Sequence, residues 1–129
     1  MTIEFFIDCD PPTATAQERK VKMGRYPIFY DPDSVKYARE LLTLHLRQHR
    51  PPRPLSGPVE LTVAWSFRAR THKPGTWRDT KPDTDNLQKL LKDVMTREHF
   101  WNDDAQVCKE IVTKRWEKRP GILIIAREL

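Results

Sequence analysis

Cysteine is scarce in this chain, with two residues, Cys9 and Cys108, among 129. Neither belongs to a Cys-x-x-Cys pair, so a zinc chelate is not expected, and both read as reduced, buried thiols. Long apolar runs are missing as well, and none approaches the roughly 20 residues that span a bilayer. Residues 1–7 have no basic n-region and meet Asp8 and Asp10 at once, which argues against a signal peptide. No internal repeat or low-complexity stretch occurs. The histidines His45, His49, His72 and His99 show no metal-ligand spacing beyond the His45/His49 i,i+4 pair, which sits beside Arg47 and Arg50 on an expected solvated helix face. These absences leave a soluble, intracellular protein with no membrane partner.

What is present fits one domain, residues 1–129, with a single modest core. Apolar residues make up 38% and charged residues 32%, and Lys plus Arg exceed Asp plus Glu by 23 to 18, for a formal charge of +5. Such a balance suits a polyanionic partner without establishing one. Ile3, Phe5 and Ile7 alternate as a strand that Pro11 and Pro12 follow. The polar, basic stretch to Arg25 reads as a loop or irregular arm, and residues 26–30 as a short strand that Pro27 confines to an edge. Asp33 or Ser34 offers an N-cap to a helix with Val35, Ala38, Leu41, Leu42 and Leu46 on one face, ending before Pro51. After a stiff connector at 51–58, Val59, Leu61, Val63, Trp65 and Phe67 alternate as a strand with its larger residues in the core. A cation-rich loop follows, then a helix from about Asp85, where Asp85 and Gln88 have capping-box spacing. Its apolar stripe is Leu87, Leu90, Leu91, Val94 and Met95. Strands at 107–116 and 122–126, joined by a hairpin-like turn at Pro120-Gly121, complete an α+β domain with a mixed sheet packed by two main helices.

Four carboxylates flank the second helix. Asp83 and Asp85 stand at its mouth, and Asp103 and Asp104 lie in the loop that leaves it. A helix of about 12 residues is about 18 Å long, so the two pairs meet only if the chain brings them back together. Should they meet, they form a hard oxygen cage suited to Mg²⁺ or Mn²⁺, and two metals about 4 Å apart would activate water and stabilise a leaving oxygen. Ordinary structural roles stand beside this reading: Asp85 as a helix cap, Asp103-Asp104 as a polar turn, Lys89 as an i,i+4 partner of Asp85. Composition and spacing stop at a basic α+β domain with a candidate divalent-metal site.

The segments Asp83-Thr84-Asp85-Asn86-Leu87-Gln88-Lys89 and Phe100-Trp101-Asn102-Asp103-Asp104-Ala105-Gln106-Val107 together resemble the RusA family of Holliday-junction resolvases. That family carries a DxDNxxK motif, a helix and a WxDDxQV-like segment in this order. The resemblance implies a homodimer, of bacterial or phage origin and cytoplasmic, that binds four-way DNA junctions. It implies Mg²⁺-dependent nicking of two opposed strands in recombination and repair, with Mn²⁺ as a substitute. By position, Asp83, Asp85 and Asp104 correspond to the catalytic metal-binding carboxylates and Lys89 to the catalytic lysine. Asp103 takes a supporting metal-site role. Lys114 falls where the family tends to have a lysine, either on DNA or as a solvated strand residue. Arg68, Arg70, His72, Lys73, Arg78 and Lys81 read as a phosphate-contacting patch or a solvated loop, with Trp77 stacked on a base or packed on the sheet. The basic arm Arg19, Lys20, Lys22 and Arg25 carries the same two readings. Trp101 is expected under the Asp103-Asp104 turn. The competing functions are a non-catalytic branched-DNA-binding protein and a metal-dependent nuclease acting on other branched DNA.

Overall fold

The computed structural model describes residues 1–15, 20–22, 24, 25, 28–30 and 33–129. In chain order the elements are β1 (Thr2–Ile7), β2 (Lys20–Lys22), β3 (Ile28–Tyr30), α1 (Asp33–Arg47), β4 (Val59–Arg68) and α2 (Thr84–Arg97). A 3-10 turn (Asp104–Gln106), β5 (Val107–Glu117) and β6 (Gly121–Glu128) complete them. The alternation in β4 is realised in full: Val59, Leu61, Val63, Trp65 and Phe67 are buried, while Glu60, Thr62, Ala64 and Ser66 are half-buried on the other face. β4 lies inside a four-stranded mixed sheet of order β1-β6-β4-β5, antiparallel to β6 and parallel to β5. Register carries the alternation across the sheet, since Phe5, Ile124 and Val63 share one row and Ile7, Ile122 and Trp65 the next. The two helices bury that face, α1 through Val35, Ala38, Leu42 and Leu46, and α2 through Leu87, Leu90, Leu91, Val94 and Met95. Both sets recur at the helical period, which is why they cover a sheet rather than extend it. The α+β class, the mixed sheet and the two main helices all stand as expected.

Several local expectations are corrected. Residues 20–22, read as part of an irregular arm, form a strand that pairs antiparallel with β3 in a separate two-stranded sheet, with Val21 opposite Phe29. Arg19, Tyr26 and Pro27 lie outside the described residues. Strands β5 and β6 are consecutive in sequence but do not form a hairpin, because β4 lies between them. Three connecting residues suffice, since they cross the end of β4 over two inter-strand spacings of about 4.8 Å. The thiols are not both buried: Cys9 is half-buried and Cys108 exposed. Cys108 is the unpaired residue where the β4–β5 register shifts, with Val59 opposite Val107 and Glu60 opposite Lys109. Burial, then Asp10 and Asp8, push the Cys9 thiol up to about 11, so it stays protonated and unreactive near neutrality. His49 does not point freely to solvent but stacks on Phe5, rings 4.4 Å apart. Among the described residues no helix is long and apolar enough to cross a membrane.

One ion cluster, buried only at its carboxylate, ties the two helices together at their ends. Glu98, at the C-cap of α2, is 3% exposed and accepts hydrogen bonds from Arg47, the last residue of α1, and from Arg50 beyond it. Burial alone would raise its pKa; the Arg50 and Arg47 hydrogen bonds outweigh that and hold it below the ordinary 4.5. A depressed folded-state pKa means the cluster stabilises fully above about pH 4.5 and loses that contribution as pH falls through the lower folded value. Glu98→Gln should cost about 1.5–3 kcal/mol at pH 7, the range for hydrogen bonds to charged groups. The gap between wild type and variant in urea unfolding should narrow as pH falls below 4.5 and the carboxylate protonates.

Candidate catalytic groove

Partners across a parallel ladder face the same side, so the buried parity of β4 continues onto β5. Leu61 lies opposite Glu110, Val63 opposite Val112, Trp65 opposite Lys114 and Phe67 opposite Trp116. At this edge of the sheet the helix-covered face therefore turns from apolar to mixed and charged. Alongside it runs α2, and between them opens a groove of about 450 Å³ lined by Asp85, Gln88, Lys89, Lys92, Asp104 and Glu110, with Thr84 and Val112.

A chain of hydrogen bonds fixes the groove wall. The buried Trp65 Nε1 donates to Gln88 Oε1 at 2.7 Å, Gln88 Nε2 donates to Glu110 Oε2 at 2.7 Å, and Lys92 Nζ donates to Glu110 Oε1 at 3.2 Å. An indole only donates, so the Gln88 carbonyl must face Trp65 and its amide must face Glu110. This corrects the expected Asp85/Gln88 capping box: α2 begins at Thr84 with Asp83 in the N-cap position, making no side-chain cap bond. A capping box does exist one motif later. Asp103 Oδ1 accepts from the Ala105 N–H at 2.8 Å, and Gln106 Oε1 accepts from the Asn102 and Asp103 N–H groups at 2.9 and 3.1 Å. Gln106 Nε2 then donates to the carbonyls of Leu55 and Gly57 at 3.0 Å each, tying this turn to the connector before β4. Trp101 is buried beside it, donating to Thr96 Oγ1 at 2.7 Å.

The mouth of α2 is held from the sheet. Lys114 Nζ donates to the carbonyls of Thr80 and Pro82 at 2.7 and 2.6 Å, immediately before Asp83. Burial and then the Arg78 charge lower the Lys114 pKa, opposed by Asp83 and Asp79. Asp85 Oδ1 accepts from the Asn86 N–H at 3.0 Å. Lys89 pairs with Asp93 at 3.6 Å, one turn further on, and not with Asp85.

The groove thus brings together Asp85, Lys89 and Asp104. Asp83 stands at the helix mouth beside Lys114 and does not line the groove, and Asp103 is engaged as a cap and lines an adjoining depression with Asp93, Thr96, Arg97, Asn102 and Asp104. Among the described residues no three acidic, histidine or cysteine side chains close on one point as the ligands of an ion would. The intervening helix has 14 residues, about 21 Å of rise, and of the carboxylates at its two ends only Asp85 and Asp104 line the shared groove. Gln88, Lys92 and Glu110 were not singled out from sequence as groove residues. The parity of β5, where Glu110 and Lys114 alternate with Val112 and Trp116, becomes a signal for Glu110 only once its parallel register with Leu61 is known.

Of the candidate DNA-contacting cations, Arg70, Lys73, Lys81 and Arg25 are exposed. Arg68 is paired with Asp10 at 3.1 and 3.2 Å. Arg78 and Lys114 are turned inward instead: the Arg78 guanidinium sits 4.3 Å from the Phe67 ring and 4.5 Å from Trp116, and burial lowers its pKa. Lys20 and Lys22 stand in β2.

These features define a basic α+β domain with a carboxylate–lysine groove on the edge of its sheet and a cationic loop beside it. Residues 10–126 match the family described as endodeoxyribonuclease RusA, and the chain belongs to that family of nucleases. It is 28% identical over 111 residues to the crossover junction endodeoxyribonuclease rusA of Lactococcus phage r1t, covering 83% of each chain. It is 26% identical over 139 residues to the uncharacterized protein YqaN of Bacillus subtilis (strain 168), covering 98% of this chain and 96% of that one.

Two substitutions test how the groove is held. Gln88→Met keeps the volume but strands the Trp65 N–H, and should lower stability by about 1–3 kcal/mol in urea unfolding. Lys114→Met should instead leave the melting temperature within a few degrees while amide exchange across residues 79–83 accelerates by about tenfold or more, since only that segment loses its anchor.

Proposed function

We propose that this chain is a homodimeric, Mg²⁺-dependent resolvase that cuts Holliday junctions by paired symmetric nicks, acting in the cytoplasm on recombination or repair intermediates. The observation that carries the reading is the convergence of Asp85, Lys89 and Asp104 on one groove of a RusA-family domain. The relative in Lactococcus phage r1t is itself described as a crossover junction endodeoxyribonuclease. Two opposed strands need two cutting sites, hence two copies of the chain.

The donor chemistry fits a hard cation. Carboxylate oxygens line the groove with no thiol or imidazole among them. Mg²⁺ is bound through one or two carboxylates together with waters and substrate phosphates, so a tight cage of three protein ligands is not required. Asp85 and Asp104 would hold it, with Asp83 contributing from the helix mouth and Asp103 keeping the Asp104 turn in shape. When bound, the cation supplies Lewis acidity and lowers the pKa of water near the scissile phosphate. Lys89, steadied by Asp93, presents its ammonium where negative charge grows on a nonbridging phosphate oxygen, and a fixed cation there lowers the barrier. The exposed Arg70, Lys73 and Lys81 supply sequence-independent phosphate attraction beside the groove.

The deciding experiment compares a labelled four-way junction with duplex, flap and Y-shaped DNA in Mg²⁺. Wild type should make symmetric paired nicks in the junction alone. Asp83→Asn, Asp85→Asn and Asp104→Asn should each slow cutting by about 100-fold or more while retaining junction binding. Full cutting by Asp83→Asn, or tight binding by wild type with no nicks, would sink the assignment.

A further inference from the structure

Trp77 is the exposed tryptophan of the described residues, with 62% of its surface accessible, whereas Trp65 and Trp101 are 1% exposed. Its exposure is built in. The loop carrying it is stitched to the outer edge of β5: the Gly75 N–H donates to the Trp116 carbonyl at 2.7 Å, the Trp116 N–H to the Thr76 carbonyl at 2.9 Å, and the Arg78 N–H to the Lys114 carbonyl at 3.1 Å. Trp77 itself pairs with Arg115 in an antiparallel bridge. On one side of it Arg78 is wedged between Phe67 and Trp116, and on the other His72 stacks on Trp116 with rings 3.8 Å apart. Both clamps hold the loop while the indole stays outside. The Arg115 guanidinium lies 4.2 Å from the Trp77 ring and backs the π-surface with a cation.

An indole left in water forgoes the stabilisation of burial, which the fold does not recover by packing it. Among the described residues its sequence neighbours Lys73, Thr76 and Asp79 and its bridge partner Arg115 are exposed and polar, which does not make an apolar protein-docking patch. A flat π-face on a rigid loop, backed by a guanidinium and flanked by cations, is instead the arrangement that takes a nucleobase while the cations take its phosphates. The same loop runs six residues on to Asp83 and is anchored at Thr80 and Pro82 by Lys114, so the platform has a fixed relation to the mouth of α2.

We propose that Trp77, backed by Arg115, is a stacking platform for an unpaired base of branched DNA, held beside the catalytic groove. This rests on the reading that the chain acts on DNA and adds that it engages an unstacked base there. The test is made in EDTA, where binding is seen without cutting, with a short oligothymidylate, a four-way junction and a blunt duplex as probes. Tryptophan emission should be quenched by the oligothymidylate and the junction but not by the duplex, and the quenching should vanish in Trp77→Ala. Trp77→Ala should weaken oligothymidylate and junction binding by about tenfold while leaving duplex affinity and the melting temperature unchanged, and Trp77→Phe should recover most of the loss. Equal quenching by duplex, unchanged junction affinity in Trp77→Ala, or quenching that grows with protein concentration in the absence of DNA would each overturn the proposal, the last by showing a second copy on the ring. Nicking of junctions in Mg²⁺ is scored separately, so a lost platform and a lost resolvase activity give different results.

Discussion

The parallel pairing of β4 with β5 governs the rest of the site. Two adjacent parallel strands cannot be joined by a tight turn, so the chain between them must cross over, and here it does so as a loop, a 14-residue helix and a short turn. That crossover lays α2 over the edge of the sheet instead of its centre. It also places both candidate motifs on one connection, since Asp83 and Asp85 open the helix and Asp103 and Asp104 close the return. Each carboxylate is thereby attached to a regular element or to a turn pinned by several hydrogen bonds, which is the condition for reproducible geometry.

An edge strand presents a difficulty that the sequence resolves by chemistry. The inward face of β5 cannot be wholly apolar, because α2 leaves part of it open, and it cannot be freely polar, because Trp65 and Phe67 lie in the next strand. The solution alternates Val112 and Trp116 with Glu110 and Lys114 and satisfies each charge locally. Glu110 receives Gln88 and Lys92, and Lys114 donates to two loop carbonyls. Trp65 completes the arrangement from the core by fixing which way Gln88 points. A polar network of this kind stabilises only when every member is satisfied, so a change at Gln88 acts on the core and on the groove together.

Most of the architecture was legible before any coordinates, because its signals are periodicities: five alternating positions in β4, and two apolar helical stripes. The two candidate motifs were legible for a different reason, since they occupy contiguous segments. What escaped was relational. Gln88 looked like a capping partner because three-residue spacing is shared by a capping box and by one turn of helix, and only the position of Trp65 in the neighbouring strand decides between them. Glu110 carried no local signal, as its significance depends on the parallel register with Leu61. The β5–β6 connection has the composition of a hairpin turn, and nothing within Lys118-Arg119-Pro120 reveals that β4 will lie between its strands. Arg78 and Lys114 likewise read as free cations, although one is held between two rings and the other faces backbone carbonyls.

Helix length then limits what the carboxylates can do. α2 is 14 residues long, and among the described residues the fold does not gather Asp83, Asp85 and Asp104 around one point; the groove is lined instead by Asp85 and Asp104 with Lys89 and Lys92. Such an arrangement is poorly suited to a permanent structural ion, which needs a closed ligand set of its own. It is better suited to a cation that arrives sharing its ligands with water and phosphate. The lysines have a matching consequence: without a polyanion in the groove they are balanced by Asp93 and Glu110, so a phosphate backbone entering there must compete with carboxylates already paired to them. Attraction to phosphate alone is indifferent to whether a duplex is branched, so the groove lysines by themselves select no DNA shape.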